Sequence, residues 1–82
     1  MARQTTVERG SSLAGRRIED AAVYQETGAT IIAIRRQGRT ILNPGGEEYI
    51  REGDILISIG AREEVDHLDE LTSVKQGEAY KR

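Results

Sequence analysis

The stretch Thr27–Pro44, TGATIIAIRRQGRTILNP, decides the fold of this chain. It contains a Thr-Gly helix stop, an apolar run from Ile31 to Ile34, a double arginine and a Gly turn. A short return run then ends at Asn43-Pro44. This pattern predicts a buried strand that turns back on a second strand, with cationic side chains at the turn.

The apolar run predicts that the first of these strands is covered on both sides. Successive side chains of a strand point to opposite faces, so Ile32 and Ile34 share one face and Ile31, Ala33 and Arg35 share the other. Both faces are apolar along most of the run, which is typical of a strand buried on both sides. The domain's own helices would cover one face of this strand, and we expect a partner protein to cover the other face.

The segment before this stretch predicts one strand and one helix. Met1–Gln4 is interpreted as a loose end, and Thr5–Arg9 as a short strand because it holds β-branched residues and is followed by Gly-Ser-Ser. From Arg17 to Gln25 the apolar spacing becomes helical, with carboxylates in the first turn, where the helix dipole favours them. Gly28 is placed to end this helix in a left-handed cap.

The segment after it predicts a strand and a second helix. Asp54–Gly60 is the clearest strand in the chain, and a helix begins at Ala61 with an apolar stripe of Val65, Leu68 and Leu71. The fold class is therefore a small α+β sandwich, in which a mainly antiparallel sheet packs against two helices. We expect residues 1–72 to form the domain and residues 73–82 a flexible C-terminal tail.

Size and composition predict a homodimer. The chain has 82 residues, no Cys, no Trp and no Phe, so its core is aliphatic and has no disulfide or thiolate metal site to brace it. Domains this small are often marginal alone, and association of two copies is a common way to stabilise them. The strand that is apolar on both faces also favours a homodimer.

Charge and hydropathy limit the partners. The net charge of -2 argues against a general nucleic-acid binder, which would carry a basic excess. No apolar run approaches the roughly 20 residues that cross a bilayer, and MARQTTVERG lacks the apolar centre of a signal peptide. The sequence therefore predicts a soluble, cytoplasmic domain, one that could still associate with the inner face of the membrane through a transporter.

The residues that could carry chemistry do not predict an enzyme. His67 is the lone histidine, lies in the polar part of the second helix and has no Ser partner in an elbow motif. We interpret it as a surface residue. The acidic residues of the same helix are explained by solvation, and Asp54 by a tight Gly-Asp turn with a local backbone hydrogen bond. No metal site and no cofactor are predicted.

Three motifs in order resemble the TrkA-C domain, the C-terminal lobe of RCK (regulator of potassium conductance) modules. They are S-x-L-A-G-R-R-I-E-D, then TGATIIAIRRQGRTILNP, then YIREGDILISIG. The resemblance covers about Thr5 to Leu71. It implies a regulatory, non-catalytic domain that dimerises and is attached to potassium channels, potassium uptake systems or other cation transporters. The Rossmann-like N-lobe of such modules and its GxGxxG are missing from this sequence, so NAD or ATP binding of that kind is not predicted.

The resemblance also implies a ligand site. In several relatives the dimer cleft binds a small effector, with cyclic di-AMP as the best-known case, through the strand pair that corresponds to Ile31–Pro44. Aliphatic residues pack on the adenines, while an Arg and an Asn bind phosphate and base. The candidate ligand-binding residues here are Ile31, Ile32, Arg35, Arg36, Arg39, Asn43 and Pro44.

The sequence leaves two questions open at this site. In cyclic di-AMP binders other residues separate the Asn from the Pro, whereas Asn43 and Pro44 are adjacent here, and three arginines compete for the phosphate. The arginines could equally form a solvated strand end, and Asn43-Pro44 a plain turn. The alternative to an effector-binding regulator is therefore a purely structural dimerisation module without a ligand.

Overall fold

The computed structural model describes residues 1–74. Four strands and three helices follow one another along the chain in the order strand, two helices, three strands, helix. They are β1 (Ala2–Thr6), α1 (Ile18–Ala21), α2 (Val23–Thr27), β2 (Thr30–Arg36), β3 (Arg39–Leu42), β4 (Ile55–Ile59) and α3 (Arg62–Thr72). Residues 75–82 of the predicted tail lie outside the described residues.

The four strands form one antiparallel sheet in the order β1-β4-β2-β3. The helices pack on one side of this sheet. An aliphatic core fills the space between them, and its most deeply buried members include Ile34, Leu56, Val65 and Leu68. This arrangement confirms the predicted α+β sandwich. Within residues 1–74, no helix combines the length and the hydropathy that a membrane span requires.

The predicted first helix is interrupted. α1 ends and α2 begins on either side of Ala22, which adopts the left-handed conformation at φ 52°. The change of direction buries Val23 and Thr27, whereas the predicted face member Gln25 is exposed. A single helical face from Ile18 to Gln25 was therefore wrong, because the bend at Ala22 resets which side chains point into the core.

The first strand lies three residues earlier than predicted. β1 covers Ala2–Thr6, which includes the supposed loose end. It pairs with β4 along its whole length, and Arg3 forms an ion pair of 2.8 Å with Asp66 on α3. The alternation is weak in the sequence because this outer strand buries only Thr5 on its inner face.

A bulge in β2 changes the predicted faces. The pairing of β2 with β4 shifts between Ile31 and Ala33, so one extra residue, Ile32, is accommodated there. Ile31 and Ile34 both enter the core, while Ala33 is buried outside it. The predicted grouping of Ile32 with Ile34 was therefore wrong, since it assumed a regular alternation that the bulge breaks.

The later elements are as predicted. β4 alternates between buried residues and partly or fully exposed ones, and α3 buries Val65 and Leu68 with Leu71 packed against the core. Glu64 accepts a hydrogen bond from the backbone N–H of Ala61 at 2.7 Å, which caps the helix start. His67 is exposed, as expected.

The cap at Gly28 gives a test of this fold. Gly28 has φ 83°, and a Cβ there would lie 2.6 Å from the Glu64 carboxylate. We expect Gly28→Ala to lower the free energy of unfolding by about 1–2 kcal/mol, measured by urea denaturation, because L-residues are strained in this conformation. Gly15→Ala is the matched control, since Gly15 has φ 86° with no atom near its added Cβ. An equal loss in both variants would exclude a contribution from the Glu64 contact.

Candidate ligand-binding site

The site predicted from the sequence is the β2–β3 hairpin. Its two turn residues both have positive φ, 53° at Gln37 and 78° at Gly38, which is the pattern of a type I′ turn. The turn fixes the register, with Arg36 opposite Arg39 and Arg35 opposite Thr40. The two strands are therefore joined by a tight two-residue turn.

The three predicted arginines do not form one rim. Directly opposed residues of an antiparallel pair share a face, so Arg36 and Arg39 lie on the side of the sheet that carries the helices. Arg35 lies on the other, open side, opposite Thr40 and Ile55. The structure thus divides the cationic residues between the two faces of the sheet.

Arg36 is committed to contacts within the chain. Its Nε and Nη2 donate to the two carboxylate oxygens of Asp54 at 2.9 and 2.8 Å, Nη2 also donates to the Tyr49 carbonyl at 2.9 Å, and Nη1 lies 3.3 Å from Glu48 Oε2. The Asp54 side chain is 2% exposed and that of Arg36 16%. The hydrogen bonds to Asp54 raise the pKa of Arg36 further above its usual value.

Asp54 therefore does more than shape a turn. One of its oxygens accepts the backbone N–H of Arg51 at 2.9 Å, which confirms the predicted local hydrogen bond. The ion pair with Arg36 joins this turn to the hairpin, a contact that sequence reasoning missed because the two residues lie 18 positions apart. The available signal was an acidic residue placed directly before the apolar run of β4.

The remaining predicted residues gather at the opposite end of the hairpin. The backbone N–H of Asn43 donates to the Ile32 carbonyl at 2.8 Å, so Asn43 sits beside the bulge. Asn43 is exposed with φ 48°, Ile32 and Pro44 are partly exposed, and Ile31 is buried in the core. Four strand steps, about 13 Å, separate Ile32 from Arg36.

The open side of the sheet carries an uncovered apolar surface. Leu42, Ala33 and Ile57 lie side by side across three strands. Leu42 is 73% exposed and Ile59 44%. Their neighbours Ile55 and Ile57 are partly exposed, and none of these residues belongs to the core cluster. We call this set (Ala33, Leu42, Ile55, Ile57 and Ile59) the open apolar face.

No group of three or more His, Cys, Asp or Glu side chains within residues 1–74 is arranged to hold an ion. Two of the acidic residues of α3 form ion pairs with Arg3, Asp66 at 2.8 Å and Asp69 at 3.5 Å.

Residues 3–73 match the profile of the TrkA-C domain. The chain belongs to the TrkA-C family. Members of this family are regulatory domains of potassium channels and transporters. The chain is 34% identical to the probable potassium channel protein 2 of Methanocaldococcus jannaschii over 74 residues, which are 90% of this chain and 22% of that protein. It thus spans about a fifth of the length of this curated relative.

Solved structures share the fold and the domain type. The RCK_C domain dimer of S. agalactiae BusR, in complex with c-di-AMP, has a TM-score of 0.81 and 28% identity, covering 87% of this TrkA-C chain and 93% of that one. The RCK C domain of the potassium transport protein KtrA, also in complex with c-di-AMP, has a TM-score of 0.76 and 28% identity, with 84% and 79% covered.

DNA binding occurs in one relative. BusR in complex with its promoter DNA matches this TrkA-C chain at a TM-score of 0.83 and 28% identity, over 93% of this chain and 37% of that one. The prediction of no nucleic-acid partner rested on the net charge of -2, and BusR shows that a relative of this domain can bind DNA within a longer chain. The BusR complex contains a chain that extends well beyond the matched domain.

Proposed function

We propose that this TrkA-C domain is a dimeric regulator of a potassium or other cation channel or transporter and that it binds a small anionic effector of the cyclic di-AMP class. The observation that supports this most directly is its likeness to two RCK_C structures that hold c-di-AMP, each at 28% identity. The domain would act at the cytoplasmic face of its membrane partner.

The effector would lie at the Asn43 end of the hairpin, on the open side of the sheet. At this end Asn43 is exposed, Ile32 and Pro44 are partly exposed, and Ile31 is buried in the core. Arg35 lies on the open side, opposite Thr40, and Thr40 is three strand steps, about 10 Å, from Asn43. A ligand with separate bases and phosphates can reach both Arg35 and Asn43. Arg36, held by Asp54, contributes to the hairpin's shape.

A second copy of the chain would cover the open apolar face. Aliphatic side chains there are continuous across the sheet, and exposed patches of this kind on small domains mark interaction surfaces. A two-fold axis that crosses this face near Leu42 would place the two Asn43 ends close together, so each copy would contribute to one cleft. An effector that binds one relative orientation of the copies better than another would shift it and signal to the transporter.

Binding of the effector is tested by calorimetric titration of cyclic di-AMP into the full 82-residue chain, with AMP as the control ligand. We expect saturable binding of cyclic di-AMP and, at 100 times its dissociation constant, about 2.7 kcal/mol of added stability. Asn43→Ala and Arg35→Gln should weaken it, whereas Arg9→Gln, an exposed arginine in the turn after β1, should not. If a stable dimer binds no cyclic dinucleotide, the chain is a structural dimerisation module.

Dimerisation is tested by analytical ultracentrifugation. We expect the wild-type chain to sediment as a dimer and Ile57→Asp to sediment as a monomer, because a carboxylate buried at an apolar interface loses its hydration. Tyr24→Asp is the control, since Tyr24 is 63% exposed but lies on the helix side. A folded wild-type monomer at high concentration would contradict the proposal.

A further inference from the structure

A groove lies on the helix side of the sheet, between β3 and the segment that leads to β4. Its volume is about 360 Å³, within the range of small-molecule sites. Three arginines line it, Arg36, Arg39 and Arg51, and Glu48 contributes a carboxylate. In a chain with a net charge of -2, this is a local concentration of positive charge.

Two of these guanidinium groups are free to bind a ligand. Arg36 is paired with Asp54 and also holds Glu48 at 3.3 Å, so this carboxylate is partly neutralised. Within residues 1–74, the side chains of Arg39 and Arg51 make no ion pair or hydrogen bond with the protein. Their charge is therefore available for an anion in the groove.

The backbone that carries both arginines is fixed. The Arg51 N–H donates to Asp54 Oδ2 at 2.9 Å, and its carbonyl accepts the Asp54 N–H at 3.0 Å. Arg39 begins β3 and pairs with Arg36 directly after the tight turn. The fixed backbone leaves only the two side chains to be ordered when a ligand binds, which limits the entropy cost of binding.

We propose that this groove binds a small phosphate-bearing molecule through Arg39 and Arg51. Planar guanidinium groups pair bidentately with phosphate oxygens, and two of them suit a ligand with two or more negative charges. Gln37, also on the groove wall, adds an uncharged donor. This site is separate from the effector site proposed above, which lies on the open side and at the Asn43 end, and it does not depend on that proposal.

The test uses inorganic pyrophosphate as the probe, titrated into the full chain at constant ionic strength and followed by amide chemical shifts. We expect saturable shifts near Arg39 and Arg51, and at least about 10-fold weaker binding in Arg39→Gln and in Arg51→Gln, as the loss of a charge-assisted hydrogen bond predicts. Arg9→Gln is the matched control and should bind as the wild type does. Arg51→Gln keeps the backbone bond to Asp54, so its thermal midpoint should be unchanged.

Three results would overturn the inference. Pyrophosphate could give no saturable shifts, or Arg9→Gln could weaken binding as much as Arg51→Gln does, which would indicate unspecific charge attraction. The third such result is that Arg51→Gln also abolishes cyclic di-AMP binding, which would make the groove part of the effector site. A chain that binds pyrophosphate in the groove but no cyclic dinucleotide supports the inference and contradicts only the proposed effector.

Discussion

Arg36→Gln is expected to lower the free energy of unfolding by about 3–5 kcal/mol, because it leaves the Asp54 carboxylate buried without its cation. Asp54 is 2% exposed and receives two hydrogen bonds from Arg36, at 2.8 and 2.9 Å. The same pair ties the β2–β3 hairpin to the turn before β4. Losing it removes the compensation for a buried charge and loosens the junction of two core strands.

Urea denaturation of matched variants checks this expectation. Arg35→Gln changes the neighbouring residue of the same strand, but Arg35 is exposed and unpaired within residues 1–74, so its cost should stay within about 0.5 kcal/mol. The double variant Arg36→Gln/Asp54→Asn should be more stable than the sum of its single changes predicts, because a neutral amide needs no cation. Additive losses would show that the ion pair does not hold the junction.

The direction of the Arg36 pKa shift predicts how the stability that the Arg36–Asp54 ion pair provides depends on pH. The hydrogen bonds to Asp54 raise the pKa of Arg36, and a raised pKa gives stability that is lost only as pH rises through the folded-state value. That value lies above the usual range for arginine. From about pH 7 to 10, the difference in stability between the wild type and Arg36→Gln should therefore stay constant. A decline over this range would contradict the assignment.

Leu68→Ala is expected to cost about 2–5 kcal/mol, since it empties a fully buried position where α3 packs on the sheet. Leu68 is 0% exposed and belongs to the core cluster. In a small domain with few aromatic residues, the other core side chains have little capacity to fill the cavity that the substitution leaves. A loss of this size would unfold much of the protein, given the few kcal/mol that stabilise domains of this length.

Leu71→Ala is the matched control in the same helix. The substitution has the same effect on helix propensity, but Leu71 is only partly buried against the core. We expect it to cost clearly less than Leu68→Ala by urea denaturation, with an unchanged dependence on urea concentration. Equal losses at the two positions would contradict the packing described here.

The sequence by itself determined the strongest elements of this protein. The Thr27–Pro44 pattern predicted the hairpin, Asp54–Gly60 predicted β4, and the stripe on α3 predicted its buried face. These signals succeed because each depends on a short period or on local turn chemistry, which neighbouring residues specify alone. The same three motifs resemble the TrkA-C family, to which the chain belongs.

Other features were decided only by the tertiary structure. The bulge at Ile32 and the early start of β1 depend on pairing partners that lie far away in the sequence, and the bend at Ala22 was not signalled by the helical pattern. Seven candidate ligand residues that are close in sequence were separated onto two ends of a hairpin and two faces of a sheet. Arg36 was joined to Asp54, and Arg51 was brought beside Arg39. The direction of a side chain on a sheet depends on register, and register is set by contacts across the whole fold rather than by local preference.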